Sequence, residues 1–456
     1  MNWRYTASEL ARIVNAPAPA RDAAFSGVST DTRTLEPGQV FFALPGTNFD
    51  GNKFVAEAFA KGAAGVVSQI ALADRPCVVV EDPLKALQVL AAHHRGRFSL
   101  PVIAITGSCG KTTAKDCISA VLGAKYRVIK TQGNFNNEIG CPLSLLQLDA
   151  DTERAVIEMG ANHLGEIAHL CRLARPTEAA ITLVAPAHLE GFGSIENVAA
   201  AKAEIMEGLS PDGFFYVNAD NAWCSEIGGR FSGGKCYFGH SGDVVVDRQE
   251  WDASGEMVVD IRPIGRLRLP LAVPAQIANV LLAVAVGLHH GVTEFEAPLR
   301  GALEHAARFR VSRIGVLEVL DDSYNANPAS MAAALEALGA RPGGGARIAA
   351  LGDMLELGAA ARRLHREIGE AAGRWGVKHL FAYGAHAHDM IEGALAAGVP
   401  HAEAVQDHAA IASAVHAVAH PGDSFLIKGS RGTRMETILP ELRALYKEPA
   451  AENARH

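Results

Sequence analysis

Residues 105–116, which read ITGSCGKTTAKD, constrain the fold more than any other stretch of the chain. A short apolar run from Pro101 to Thr106, rich in β-branched residues, precedes a glycine-rich segment, and a helical pattern runs from about Lys111 to Leu122. The order strand, glycine loop, helix brings backbone N–H groups and a helix N-terminus to one point, where a phosphate group can bind. The sequence therefore predicts an α/β protein that binds a nucleotide.

Each residue type in this loop suits a phosphate site. Glycine lets the backbone approach the anion, a lysine can reach the β- and γ-phosphates, and a hydroxyl can ligate magnesium. The common form of the motif has a further glycine where this chain has Ile105, so the loop is of the shorter T-G-x-x-G-K-T type. An incidental glycine-rich turn is the alternative, but the flanking strand and helix favour the phosphate site. The candidate phosphate-binding residues are Gly107, Ser108, Cys109, Gly110, Lys111, Thr112 and Thr113.

Short apolar strands alternate with helical stretches along the rest of the chain, which indicates parallel sheets covered by helices on both faces. At roughly 150 residues per domain, 456 residues suggest three domains. We expect a small mixed α/β domain at 1–82, a central P-loop domain with a parallel sheet at 83–311, and a Rossmann-like α/β domain at 312–456. Polar or glycine-containing loops follow the strands, and ligands bind at the carboxyl ends of such strands.

Composition excludes several classes of function. A net charge of -8 argues against a nucleic-acid-binding protein, which usually carries a basic stripe. The N-terminal MNWRYTASEL has no signal-peptide pattern, and the longest apolar stretch, Val280 to Leu288, is far short of the ~20 residues that span a bilayer. The seven cysteines are scattered and read as reduced thiols. We therefore predict a cytoplasmic protein without a membrane-spanning segment.

Three positions after the loop carry groups that could act on a phosphate. Glu158 ends a predicted strand and could hold magnesium, although an acid that caps a helix is an equally good interpretation. His188 also follows a strand, where a lone histidine is more often structural. Lys202 lies in a predicted helix, and by itself it would be assigned to the solvated surface.

In this order the loop, Glu158-Met-Gly, His188 and Lys202 resemble the Mur ligase family of peptidoglycan synthesis. The resemblance extends from about residue 25 to 440. Residues 29–54 resemble the uridine-diphosphate-binding segment of these enzymes, and residues 131–142 resemble the asparagine-rich loop after the P-loop helix. Three C-terminal segments are similar to the signatures of the branch that adds D-alanyl-D-alanine: DDSYNANP (321–328), LGDMLELG (351–358) and KGSRGTRME (428–436).

The resemblance implies an ATP-dependent ligase. ATP would phosphorylate the terminal carboxylate of UDP-N-acetylmuramoyl-tripeptide, and the amine of D-alanyl-D-alanine would attack the acyl phosphate. The ligase that adds diaminopimelate or lysine and folylpolyglutamate synthetase are alternatives within the same superfamily. A P-loop switch protein is an alternative of another class, but it would leave Glu158, His188 and Lys202 unexplained. The resemblance also implies a monomer whose C-terminal domain closes over ATP and binds the dipeptide.

The resemblance assigns roles to individual residues. It implies two magnesium ions, one held by Thr112 and Glu158 and the second by His188, with a carbamylated Lys202 as a further anionic ligand. The catalytic set would be Lys111, Glu158, His188, Lys202 and Arg308. Further contacts to ATP would come from Asn137, Gln276, Asn279, Arg308, Asp322 and Asn325. The substrate-binding residues would be Ser29, Thr30, Asp31, Arg33, Phe42, Gly46, Asp50 and Asn134, with Ser430 and Arg431 for the dipeptide.

Two departures from the family pattern concern the nucleotide. The family has Gly-Arg where this chain has Ala307-Arg308, and Arg310 and Arg313 are nearby competitors for the same role. Where the family reads His-Asn, this chain has Ala275-Gln276. A glutamine keeps the amide donor and acceptor of asparagine on a side chain that is one methylene longer.

Overall fold

The computed structural model describes residues 3–46, 50–252, 256–271, 273–304, 309–341 and 343–447. These residues form three largely parallel sheets with helices packed against them, as the alternation of strands and helices predicts, and one small antiparallel pair of strands. The α/β fold class is confirmed. The sequence prediction for Arg308 lies outside the described residues.

The N-terminal part combines a small antiparallel pair, β1 with β2, and a parallel sheet in the order β3-β4-β5-β6. The first helix begins with a capping box in which the Thr6 hydroxyl accepts from the Glu9 N–H, a common helix start. The strands are β1 (Tyr5–Thr6), β2 (Ala24–Phe25), β3 (Val28–Ser29), β4 (Val40–Phe42), β5 (Gly65–Ser68) and β6 (Cys77–Val79), and the helices are α1 (Ala7–Ile13) and α2 (Val55–Ala60).

The central part is built on a sheet whose strand order is β15-β14-β13-β12-β11-β10-β7-β9-β8. Its first strands are β7 (Val102–Thr106), β8 (Val128–Lys130), β9 (Arg154–Glu158), β10 (Glu178–Ile181), β11 (Phe214–Asn218) and β12 (Gly234–Gly239). The helices are α3 (Pro83–Arg95), α4 (Lys111–Gly123), α5 (Gly140–Leu145), α6 (Glu166–Ala174), α7 (Leu189–Phe192), α8 (Ile195–Ala203), α9 (Ala222–Arg230), α10 (Ile277–His289) and α11 (Glu296–Glu304). Separate apolar clusters cover its two faces.

The central sheet is parallel from β8 to β13, as predicted, and it carries an antiparallel extension at one edge. Strands β13 (Val244–Trp251), β14 (Met257–Arg262) and β15 (Gly265–Leu269) form an antiparallel extension. In β14 buried and partly exposed residues alternate, which is the pattern of a strand with one covered face. Because a hairpin needs no crossover helix, this region lacks the strand–helix alternation that identified the other strands.

The C-terminal part has a sheet in the order β16-β17-β21-β18-β19-β20, parallel except for the β16–β17 hairpin. Helices cover both faces of this sheet as well. The strands are β16 (Arg310–Ile314), β17 (Leu317–Asp322), β18 (Arg347–Gly352), β19 (Val377–Tyr383), β20 (His401–Ala404) and β21 (Ser424–Lys428), and the helices are α12 (Pro328–Gly339), α13 (Ala361–Arg374), α14 (Ala387–Ala396), α15 (His408–Val418) and α16 (Ile438–Leu445).

Each helix of the described residues is too short or too polar to cross a bilayer. Even the strongly apolar α10 is a buried helix of the central part, packed on the P-loop helix α4. Its apolar surface is therefore covered by protein.

Candidate active site

The glycine loop leaves β7 at Thr106 and turns into α4. Gly107 has φ of +144° and Gly110 has φ of +83°, conformations that other residues rarely adopt. A Cβ atom on Gly107 would lie 2.0 Å from the Thr182 hydroxyl, and one on Gly110 would lie 2.8 Å from Oδ1 of Asn279. Lys111 donates from Nζ to the Gly107 carbonyl at 2.7 Å. The two glycines are thus required by both backbone conformation and space.

Glu158 lies beside the glycine loop because β9 pairs with β7 in the sheet, which places Glu158 opposite Ile105. The side chain is 1% exposed, and its Oε1 accepts from Nδ2 of Asn136 at 2.8 Å and from the Thr112 hydroxyl at 3.4 Å. Its Oε2 has no hydrogen-bond partner among the described residues. A buried carboxylate with one oxygen beside a hydroxyl and the other without a hydrogen bond is a donor set suited to a hard divalent cation.

Lys115 is a buried cation that the sequence did not reveal. It lies one turn after Lys111 on α4, and its Nζ is 3.9 Å from Oε2 of Glu158 and 3.3 Å from the Gly133 carbonyl. Burial lowers the pKa of Lys115. Its position at i+4 from Lys111 could have indicated a shared helix face, but a lysine in a helix is ordinarily exposed.

Asn136 was also missed within the asparagine-rich loop, where the sequence favoured Asn134 and Asn137. Asn136 holds Glu158, while the side chain of Asn137 accepts from the N–H groups of Ile139 and Gly140. Only the sheet order shows which asparagine of the loop faces β9.

His188 begins α7 with φ of +51° and faces the C-terminal part of the chain. Its Nδ1 forms a short hydrogen bond with the Glu356 carboxylate, and the N–H of Glu190 donates to the Glu356 carbonyl at 3.0 Å. Burial lowers the pKa of His188, although the Glu356 carboxylate acts in the opposite direction. Glu356 lies in the LGDMLELG segment, but no local pattern in the sequence pairs it with His188.

Lys202, near the end of α8, is 2% exposed. Its Nζ is 3.5 Å from the Ala161 carbonyl and 5.2 Å from the centre of the Phe192 ring, and it forms no ion pair within the described ranges. Burial, together with the charge of Lys111, lowers the pKa of Lys202 to about 7. The interpretation of this residue as solvated surface is therefore wrong.

The C-terminal part brings a second set of polar groups to the same place. Lys428 is 1% exposed, and its Nζ donates to the Asp322 carboxylate at 2.5 Å and to the Asn325 carbonyl at 2.9 Å. Asn327 caps α12, and its Nδ2 donates across the domain boundary to the Ser108 carbonyl of the glycine loop at 3.1 Å. Neither Lys428 nor Asn327 was a candidate from the sequence alone.

A cavity of about 1200 Å³ lies between the central and C-terminal parts. It collects many of the side chains that the sequence predicted, while Lys202 lies behind the Ala161 segment of its wall. Thr112 faces Glu158, and Asn279 lies beneath Gly110. The predicted residues that line the cavity are Ser108, Cys109, Lys111, Asn134, Asn137, Glu158, His188, Asp322, Asn325, Ser430 and Arg431.

Several predicted residues do not line this cavity. The side chain of Gln276 accepts from the Val273 N–H at 3.4 Å, at the start of the segment that leads into α10. The carboxylate of Asp31 pairs with Arg33 at 2.6 Å, which lowers the pKa of Asp31. Phe42 is 0% exposed, so its side chain packs in the core instead of facing a ligand. The predicted substrate-binding residues outside the cavity are Ser29, Thr30, Asp31, Arg33, Phe42, Gly46 and Asp50.

Metal-ligating side chains are sparse around the cavity. Within the described residues, no group of three or more His, Cys, Asp or Glu side chains lies close enough together to hold a metal ion. A metal ion here would be held by isolated protein groups such as Glu158, Thr112 and His188, with ligands from other sources completing its shell. Such a sparse set is typical of magnesium, which is held by one or two carboxylates together with substrate phosphates and water.

The fold and the cavity define a multidomain P-loop protein with charged and polar side chains collected at the junction of two α/β sheets. The chain belongs to the Mur ligase family. It matches the family's catalytic domain over residues 24–95, the Mur ligase middle domain over 105–287 and the Mur ligase glutamate ligase domain over 307–431.

Relatives cover nearly the whole chain. The UDP-N-acetylmuramoyl-tripeptide–D-alanyl-D-alanine ligase of Escherichia coli is 37% identical, over 96% of this chain and 98% of its own length. A crystal structure of MurF from Acinetobacter baumannii is 31% identical, with a TM-score of 0.87, over 97% of this chain and 99% of that one. MurF ligase from Thermotoga maritima, solved in complex with ADP, is 28% identical, with a TM-score of 0.82, over 92% of this chain and 98% of that one.

Proposed function

We propose that this chain is an ATP-dependent ligase that joins D-alanyl-D-alanine to UDP-N-acetylmuramoyl-tripeptide in the synthesis of peptidoglycan precursors. The observation that carries the proposal is the cavity, where a glycine loop, the Glu158 carboxylate and His188 meet polar groups of the C-terminal part. The relatives that share this architecture over almost their full length carry that activity in their names.

The reaction must bring two anions together. A carboxylate is a poor acyl donor, so ATP first transfers its γ-phosphoryl group to the tripeptide carboxylate and releases ADP. The amine of D-alanyl-D-alanine then attacks the acyl carbon, and the tetrahedral intermediate expels phosphate and leaves an amide. Preorganised positive groups around the phosphates lower the barrier to the first step. Lys111 supplies one of them at the glycine loop, where helix α4 also begins.

Thr112 and Glu158 fit a magnesium ion, because the Thr112 hydroxyl lies 3.4 Å from Oε1 of Glu158 and the buried Oε2 has no hydrogen-bond partner among the described residues. His188 is the candidate ligand of a second ion. When bound, magnesium neutralises charge on the phosphate oxygens. Lys115 lies on the other side of Glu158 and balances its charge inside the protein.

The C-terminal part would complete the nucleotide and dipeptide sites. Asp322 and Asn325 line the cavity from that side and would contact ATP, and Arg308 would reach the γ-phosphate. Ser430 and Arg431 also line the cavity, and the guanidinium fork suits the carboxylate of the dipeptide. The uridine diphosphate would bind the N-terminal domain, 1–82. We infer from the family resemblance that the enzyme is a monomer. It would act in the cytoplasm, where nucleotide-linked precursors and ATP are available.

Lys202 is proposed to carry a carbamate. Burying a lysine charge without a carboxylate partner is costly, so the neutral amine is favoured, and the neutral amine is the form that reacts with carbon dioxide. The product would be an anion with two oxygens able to ligate a cation. We expect Lys202→Ala to reduce the rate of product formation about 10²- to 10³-fold, with partial rescue by a small carboxylate in the buffer. Unchanged activity would remove Lys202 from the site.

Product analysis by mass tests the proposal. The purified chain is incubated with ATP and UDP-N-acetylmuramoyl-tripeptide, with and without magnesium, and with D-alanyl-D-alanine or single amino acids as acceptors. We expect a pentapeptide product and phosphate release that require both the dipeptide and magnesium. Addition of diaminopimelate or lysine to a dipeptide substrate, or of glutamate to a folate, would favour the other branches of the superfamily. Phosphate release without an acceptor would favour a P-loop switch protein.

A further inference from the structure

Among the described residues, two side-chain hydrogen bonds cross from the C-terminal part to the phosphate side of the cavity, and one of them ends on His188. Glu356, which leads from β18 towards α13, accepts from Nδ1 of His188. The other bond, from Asn327 to the Ser108 carbonyl, holds the glycine loop. His188 is therefore oriented by a carboxylate that belongs to a different domain.

The chemistry of this pair defines the state of the imidazole. An ionised carboxylate can only accept, so Nδ1 carries the proton. In the neutral ring Nε2 is then the unprotonated nitrogen, and the described residues offer it no hydrogen-bond partner. His188 lines the cavity, so this nitrogen is available to a ligand there. A histidine that donates one ring N–H to a carboxylate is the usual arrangement of a metal-ligating imidazole.

Glu356 is itself held in place. The N–H of Glu190, two residues after His188, donates to the Glu356 carbonyl at 3.0 Å. Glu356 adopts φ of +62°, an uncommon conformation for a residue with a side chain, and Gly358 lies against Glu190. Both the backbone and the carboxylate of Glu356 thus meet the His188 segment, so the contact depends on the C-terminal part being seated on the central part.

We propose that Glu356 is the positioning residue of His188, and that it couples closure of the C-terminal domain to completion of the cation site at His188. The inference rests on the proposed function. When the domain is closed, Glu356 fixes the tautomer and the ring orientation of His188. When the domain moves away, His188 loses its carboxylate, and Nε2 is no longer held towards the cavity. Phosphoryl transfer is then favoured only in the closed enzyme.

The test uses the full chain and the variants Glu356→Ala and Glu356→Gln. Glu190→Ala is the matched control, because Glu190 is an exposed carboxylate in the same contact whose backbone, and not its side chain, meets Glu356. Two quantities are measured: the turnover number, and the binding of Mn²⁺ in the presence of ADP by electron paramagnetic resonance. Loss of a carboxylate behind a metal-ligating histidine typically costs 10- to 100-fold in metal affinity or activity.

We expect Glu356→Ala to weaken one Mn²⁺ site by 10- to 100-fold and to lower kcat with little change in the KM of the tripeptide substrate. Glu356→Gln keeps an oxygen that accepts from Nδ1, so we expect a smaller loss of Mn²⁺ affinity and of kcat. If the alanine variant folds poorly, the glutamine variant tests the inference. Glu190→Ala behaves as wild type. In a His188→Ala background, Glu356→Ala has no further effect, because the residue acts through His188.

Wild-type Mn²⁺ binding in Glu356→Ala, or a further loss of activity when it is added to His188→Ala, would overturn the inference. Failure of the wild-type chain to make the pentapeptide would instead overturn the proposed function. The two failures are distinguishable because the Mn²⁺ measurement does not depend on turnover.

Discussion

The central part of the chain meets its two neighbours in opposite ways. Towards the N-terminal part it shares one continuous apolar cluster, which runs from Trp3 and Tyr5 through helix α3 to strands of the central sheet. Towards the C-terminal part it offers a polar cavity crossed by the His188–Glu356 and Asn327–Ser108 hydrogen bonds. Within the described residues, the apolar C-terminal cluster takes in Val273 and Leu189 from the central part.

The difference indicates which boundary can move. Separating the N-terminal part would expose a buried core and break the hydrogen bond from Nε1 of Trp3 to the Leu146 carbonyl, which is 2.9 Å long. Separating the C-terminal part would break a few polar contacts that water can replace and expose the smaller apolar contact made by Val273 and Leu189. We infer that the first boundary is rigid and that the second opens to exchange nucleotide and product, as polar interfaces between domains commonly do.

The largest change in the free energy of unfolding is expected at the rigid boundary between the N-terminal and central parts. Trp3→Ala removes a 6%-exposed indole from the shared core and should lower the free energy of unfolding by about 3–5 kcal/mol. Calorimetry should show a lower melting temperature for the N-terminal and central parts together, while a C-terminal transition stays in place. If only a small N-terminal transition moved, the shared core would not be one cooperative unit, and the comparison would fail.

A pH effect of slightly smaller size is expected at the same boundary. His94 is 0% exposed, accepts from the Tyr5 hydroxyl at Nδ1 and donates from Nε2 to the Leu148 carbonyl, and burial lowers its pKa to about 4. Because the unfolded chain binds a proton near pH 6.5 and the folded chain does not, stability is complete above pH 6.5 and falls as pH drops towards 4. The loss is about 3 kcal/mol.

Denaturant titrations at several pH values check this expectation. His94→Gln has no titrating ring, so it should remove most of the change in the free energy of unfolding between pH 6.5 and 4. If that change persisted in the variant, it would come from other titrating groups. Activity at neutral pH should stay near that of wild type, because His94 does not line the cavity.

The smallest effect is expected at the polar boundary. Asn327→Ser keeps a side chain that can cap α12 but removes the Nδ2 donor to the Ser108 carbonyl. One such hydrogen bond contributes about 1 kcal/mol, so we expect the KM for ATP to rise roughly fivefold with little loss of stability.

Asn221→Ser is the matched control for this variant. Asn221 caps α9 and donates from Nδ2 to the Val184 carbonyl at 3.1 Å, all within the central part. It should affect stability rather than the KM for ATP. If the two variants raised the KM for ATP equally, the hydrogen bond between Asn327 and Ser108 would not be what supports ATP binding.

Prediction from sequence was most successful where one short segment carries all the information. The end of strand β9 at Glu158 was predicted correctly, and the P-loop helix was predicted within one residue of its observed end. Prediction from sequence failed for residues whose surroundings are formed by segments far away in the chain. Phe42 lies in a segment typical of ligand binding but is fully buried, and Lys115 and Lys202 sit on helices yet lie inside the protein.

The amino-acid sequence by itself determined the glycine loop, the order of strands and helices, and the family to which the chain belongs. These depend on backbone conformation and on apolar periodicity over a few residues, which neighbouring positions encode. Only the tertiary structure decided that Asn136 and Lys115 flank Glu158, that Glu356 holds His188, and that the N-terminal core continues into the central one. These contacts join segments far apart in the chain, and they exist because sheet order and domain packing, which no local pattern specifies, bring those segments together.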